Sequence, residues 1–145
     1  MKFATKTLIL GLVMIGGIAL AEIKATDPDV IARQTLMDGN GAALGALGAM
    51  AKGDKPFDAV AAEAAKQALI ASAADTAAKF KTNAVDAASK AKPEVWTNWT
   101  DFVENADGLG KAAAALDTTS LDTVKAGLGA IGGACKACHT EFKAS

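Results

Sequence analysis

The sequence predicts an all-α fold, an antiparallel up-down-up-down four-helix bundle, and three observations carry that expectation. Alanine is abundant, tyrosine is absent and no β-branched run occurs, which is helical composition. Each of the three prolines can be read as the first residue of a helix. Apolar residues recur at 3–4 spacing, and the links between those stretches are short, which favours antiparallel neighbours.

Taken in order, Asp27-Pro28 opens helix A, about 29–50, and Asp54-Lys55-Pro56 opens helix B, about 57–80. Lys92-Pro93 opens helix C, about 94–116. Helix D follows the Thr118-Thr119-Ser120 cluster of hydroxyl caps and runs through His139 to about Lys143. Helix C has a buried stripe of Trp96, Trp99, Phe102, Val103, Ala106, Leu109 and Ala113. Helix D has Leu121, Val124, Leu128, Ile131, Cys135, Cys138 and Phe142 on one face. Helix B is thinner: Val60, Ala64, Ala68, Ala71 and Phe80, with Leu69 and Ile70. The 81–92 link is polar and longer than the others, so mobility is expected there. Glycines within A (41, 45, 48) and D (127, 129, 132, 133) cost about 1 kcal/mol each against alanine. They mark either tolerated drift in an Ala/Gly-rich sequence or space cleared for a flat group between helices.

The N-terminus reads as an export signal. Lys2 and Lys6 form a positive n-region, residues 8–20 are apolar, and Ala19-Leu20-Ala21 is a small-x-small cleavage site. The run is shorter than the roughly 20 residues of a membrane span. The expectation is therefore a signal peptide over 1–21 and one domain over 22–145, with no membrane attachment after cleavage. Without the signal, Lys+Arg falls from 15 to 13 against 16 Asp+Glu, a formal charge of −3. An acidic domain argues against nucleic acid, which wants a basic face. The mean hydropathy of +0.23 is inflated by the signal.

Cys135-Lys136-Ala137-Cys138-His139 contains both cysteines and the one histidine of the chain. C-x-x-C-H is the attachment signature of a c-type haem. Two thiols add to the vinyl groups, and the adjacent imidazole is placed to bind the iron as proximal ligand. Zinc would want four ligands, and the Cys/His set offers three. A thioredoxin-like pair would want a neighbouring βαβ pattern, which is missing. One covalent haem c is the expected cofactor. No acid–base cluster accompanies it, so an enzyme finds no support.

With one histidine, bis-histidine ligation is excluded. Met37 and Met50 are the methionines that survive processing. Helices A and D run antiparallel in the expected bundle, so the end of D lies level with the start of A. Met50 would sit about 20 Å along the axis from Met37 at 1.5 Å per residue, which leaves Met37 level with the iron. Geometry alone leaves ligation and core filling as equal readings of Met37. Arg33, the only arginine, precedes it by one turn. It can contact a haem propionate or lie solvated on the surface.

This arrangement resembles the class II cytochromes c, the cytochrome c′ family of exported four-helix bundles with C-x-x-C-H near the end of the last helix. The likeness runs from about Asp27 to the end of the chain. Ile31-Ala32-Arg33-Gln34-Thr35-Leu36-Met37 is similar to the family's helix A, where an Arg stands four residues before the distal position. The 36–41 and 47–58 segments look like the low-spin, methionine-ligated cytochrome c-556 branch, and Pro93-Glu94-Val95-Trp96 opens helix C as in the family. Lys143 stands where the family often has Arg. The resemblance implies Met37 as distal iron ligand opposite His139, Arg33 on a propionate, a periplasmic location, electron transfer with redox partner proteins, and a monomer or a homodimer built on helices A and B. Its other branch implies a five-coordinate haem that binds nitric oxide or another small gas. Trp96 and Trp99 read as core or haem-wall residues. Lys125, Lys136 and Lys143 read as a solvated helix face or a docking patch.

Overall fold

Asp27 caps the first helix: its carboxylate accepts from the backbone N–H of Asp29 (2.9 Å) and Val30 (3.2 Å), two of the groups a helix start leaves orphaned. The computed structural model describes residues 23–145, so the signal-peptide reading of 1–21 and the cleavage at Ala21 lie outside the described residues. Helix α1 spans Pro28–Lys52 and stops at Gly53, whose φ of 84° is the left-handed conformation glycine adopts without strain. Helix α2 spans Ala59–Phe80, capped by Asp58 on the N–H groups of Val60 and Ala61. The second start therefore lies two residues after the expected one. An acidic cap satisfies two donors there, whereas Pro56 satisfies none and stays in the extended approach.

The expected helix C is two helices, α3 (Glu94–Thr97) and α4 (Trp99–Ala114), separated at Asn98. Asn98 leaves helical geometry at φ −117°, ψ 47°, and asparagine is a poor interior helix residue because it competes for the backbone. Trp96 fixes the short helix by donating from Nε1 to the Phe80 carbonyl at 2.8 Å. Helix α5 (Leu121–Phe142) begins in a reciprocal capping box between Ser120 and Thr123.

The four long helices form the expected up-down-up-down bundle, with α1 on α2, α2 on α4, α4 on α5 and α5 back on α1. Two cores fill it. The larger is aliphatic, with Leu47, Leu69, Leu116, Val124 and Ile131 fully enclosed. The smaller is aromatic: Phe80, Val95, Phe102 and Phe142, with Trp96, Trp99, Met37 and Cys138 against it. Phe102 sits at its centre, 5.1–5.6 Å from the rings of Phe80, Phe142 and Trp99. A fully buried Phe stabilises by about 1.5–3 kcal/mol.

The stripes read for α4 and α5 face these cores. The stripe read for α2 does so only in part: Leu69, Ile70 and Phe80 pack on the cores as read, but Val60 is 80% exposed and Ala64, Ala68 and Ala71 face out, while Ala62, Ala65, Ala73 and Thr76 face in. A helix made largely of alanine has too little contrast between its faces for spacing to reveal the buried one. The glycines of α1 at 41, 45 and 48 border open space, as do 129, 132 and 133 of α5. Gly127 alone among those seven clears room, and it does so for Leu116, whose Cδ1 lies 2.5 Å from where a Cβ would stand.

The link between α2 and α3 is pinned, contrary to the expected mobility. The Asp86 carboxylate accepts from Thr26 N–H (2.8 Å), Asp27 N–H (2.9 Å), Thr26 Oγ1 (3.2 Å) and Ala88 N–H (2.8 Å). Gln34 Nε2 donates to the Ala88 carbonyl. At its far end the link joins the tail of α5 through an antiparallel bridge of Ala91 with Lys143, in which Lys92 N–H donates to Phe142 O and Ala144 N–H to Lys90 O. Chain spacing gave no sign of these contacts, because they join residues up to 60 apart.

The hydrogen bonds on Asp86 hold its pKa at about 2, down from 3.8. A depressed carboxylate contributes stability that is complete above its unfolded pKa and disappears as pH falls through the folded one. Asp86→Asn is expected to lower the thermal midpoint at pH 6. The gap to wild type should shrink between pH 4 and pH 2, as followed by circular dichroism melts.

Candidate functional site

One end of the bundle encloses a cavity of about 230 Å³ between the start of α1 and the end of α5. Val30, Arg33, Gln34 and Met37 line it from α1, and Cys138, His139 and Phe142 from α5. Phe80, Val95 and Phe102 form its floor, and Ser89, Lys90 and Ala91 of the link form one wall. The walls are mainly apolar, as a cofactor site requires. The antiparallel pairing of α1 with α5 thus puts Met37 and His139 on one space, as level-matching along the bundle axis predicts. Met50 is in the other core, 3% exposed, with its sulfur accepting from Asp58 N–H at the opposite end of α1.

Cys135 and Cys138 are free thiols, both half-buried. Burial raises the pKa of Cys135, and it pushes Cys138 up to about 11 with further help from Cys135 and Glu141. Protonated thiols of this kind are unlike the activated thiolates of disulfide exchange. His139 is exposed at the rim. Partial withdrawal from water, then Lys143, lowers its pKa, which favours the neutral imidazole that binds metals. Among the described residues no group of three His, Cys, Asp or Glu side chains is placed to hold a metal ion.

Arg33 is 3% exposed. Its Nε donates to Lys79 O at 3.2 Å and its Nη2 to Thr82 O. Its guanidinium lies 5.1 Å from the Trp96 ring centre and 5.2 Å from that of Phe80. The surface reading of this side chain is thereby excluded. Burial lowers its pKa, opposed by Asp29 and Asp27, yet a guanidinium stays charged in proteins. Nη1 is buried with no hydrogen-bond partner. An unpaired donor on a buried cation, in the wall of an apolar cavity, fits an anionic group of a haem.

The link residues Ser89–Ala91 and the floor residue Phe80 had no sequence signal as site residues, since the contacts that bring them in are long-range. Of the candidate docking lysines, Lys143 adjoins the cavity and Lys136 is exposed about two turns before Lys143. Lys125 is about 20 Å away along α5, at 1.5 Å per residue.

A four-helix bundle with C-x-x-C-H on its last helix, with Cys138, His139 and a methionine of the first helix on one apolar cavity and Cys135 outside that lining against the aliphatic core, is a haem protein of the c type. Comparison with known proteins places it more closely: the chain belongs to the cytochrome c′ family, whose model matches residues 29–143. It is 31% identical over 147 residues to cytochrome c-556 of Agrobacterium fabrum, covering 99% of this chain and 95% of that one. It superposes on oxidised R. palustris cytochrome c556 with a TM-score of 0.74 and 30% identity, over 83% of this chain and 98% of the other. A nitric oxide complex of a point mutant of cytochrome c prime from Alcaligenes xylosoxidans gives 0.71 and 26%, over 81% and 94%. Family members carry covalent haem c, and the two cysteines fit the attachment signature. No described helix is long and apolar enough to cross a membrane.

Arg33→Met keeps the aliphatic stem and removes both carbonyl contacts. A loss of about 2–3 kcal/mol is expected from charge-assisted hydrogen bonds of this kind. Urea unfolding followed by tryptophan fluorescence measures it, and Arg33→Lys should fall between the two.

Proposed function

We propose that the chain is an exported, periplasmic one-electron carrier that holds one haem through Cys135 and Cys138, with His139 and Met37 as axial ligands. The observation that carries the reading is the shared cavity of Met37 and His139 on antiparallel helices. A bound haem supplies an iron that cycles between two oxidation states, and His/Met ligation raises its potential. The chain's own residues do the rest. Cys135 and Cys138 fix the group on the last helix. The aromatic floor excludes water and lowers the local dielectric. Arg33 offers Nη1 to a propionate while its other nitrogens stay on backbone carbonyls. The rim around His139, with Lys90 and Lys143 beside it, is the face open to redox partner proteins.

The second reading, a five-coordinate haem that takes nitric oxide, is supported by the likeness to the Alcaligenes xylosoxidans protein. In that case Met37 is a steric lid over the iron.

Two measurements test the proposal. The exported protein should retain one haem per chain in mass spectra after acid-acetone treatment, and freely extracted haem would sink the covalent reading. The oxidised protein should be low-spin with a far-red sulfur-to-iron charge-transfer band, and its reduced form should take carbon monoxide poorly. Met37→Ala should turn it high-spin and open it to carbon monoxide, while Met50→Leu leaves the spectrum unchanged. A wild type that is already high-spin and takes up carbon monoxide readily would give the function to gas binding.

A further inference from the structure

We propose that Asn40 is a positioning residue for the Met37 thioether, and that its side-chain amide raises the electron affinity of the site by donating to the sulfur. This rests on Met37 being the distal ligand. Residues three apart share a helix face, and Asn40 lies one turn beyond Met37 on α1, outside the cavity lining. Its Nδ2 stands 4.0 Å from Met37 Sδ, at the reach of an N–H···S contact. Its Oδ1 is buried and has no hydrogen-bond partner among the described residues. A carboxamide with a buried, unpaired oxygen costs stability. Among the described residues, its one side-chain partner is the sulfur.

The chemistry follows from the electron pairs of the thioether. The sulfur is an acceptor with two lone pairs, of which one can face the cavity while the other takes the amide hydrogen. Donation draws electron density off the sulfur. That weakens its support of the ferric iron more than of the ferrous iron, so the reduced form is favoured. The same donation lowers the energy of the sulfur orbital from which the far-red band arises. Removing the amide therefore makes two readouts move together: the potential falls and the band moves to longer wavelength. A residue that only packed against Met37 would not couple them.

The test uses the haem-loaded protein, first as wild type and Met37→Ala, then as Asn40→Leu and Asn40→Gln. Asn40→Leu keeps the branching at Cγ and removes the donor. It is expected to raise the ferric-to-ferrous ratio at a fixed ambient potential about threefold, the lower end of what one neutral hydrogen bond contributes. That is about 30 mV at 59 mV per tenfold for one electron. The far-red band should move to longer wavelength, and Asn40→Gln should recover part of both changes. If Asn40→Leu fails to load or fold, Asn40→Ala is held to the same two criteria. A low-spin wild type that Met37→Ala converts, with potential and band unmoved by loss of the amide, overturns the Asn40 inference and leaves the ligation reading standing. A high-spin wild type overturns both.

Discussion

The enclosed guanidinium of Arg33 is the constraint around which this end of the bundle is organised. A charge taken out of water must be met by partners. Here they are the carbonyls of Lys79 and Thr82 and the faces of Phe80 and Trp96. The Lys79 carbonyl belongs to the last turn of α2, the negative end of its dipole, where a cation is favoured. One side chain from the start of α1 thus fixes where α2 ends, where the following link departs and which way the first turn of α3 faces. Each of those positions borders the cavity.

The link is held from both sides as a result. Asp86 and Gln34 bind it to the beginning of α1, and the short bridge at Ala91 binds it to the end of α5. Helices meeting at 8–10 Å leave no room for a flat group of haem size unless something spaces them. At the end where the sequence places imidazole and thioether, the cavity between α1 and α5 has a non-helical wall, Ser89–Ala91.

Much of this was legible beforehand, and for identifiable reasons. Helix starts were readable at Pro28, from proline's place in a first turn, and at Ser120, from its hydroxyl cap, because both signals are local chemistry. The buried faces of α4 and α5 were readable because Trp, Phe, Ile and Val stand out against Gly, Lys and Asp. The placing of Met37 over Met50 followed from rise per residue and chain direction alone. On α2 only Leu69, Ile70 and Phe80 were legible, and its buried alanines were not, because alanine is nearly as content outside as inside. The break at Asn98 had only the asparagine to mark it, and the contact that fixes the short helix before it joins Trp96 to an acceptor 16 residues earlier in the chain. The links made by Arg33 and Asp86 depend on partners 46–60 residues away, and nothing in their neighbourhood in sequence marks them.

The two thiols occupy different packing environments: Cys135 rests against the aliphatic core and Cys138 against the aromatic one. A rigid ring fastened at both points would be riveted across the seam between the halves of the molecule. Loosening of either half would then tilt the same plane, so the colour of the protein becomes a gauge of its whole architecture and not of the pocket alone.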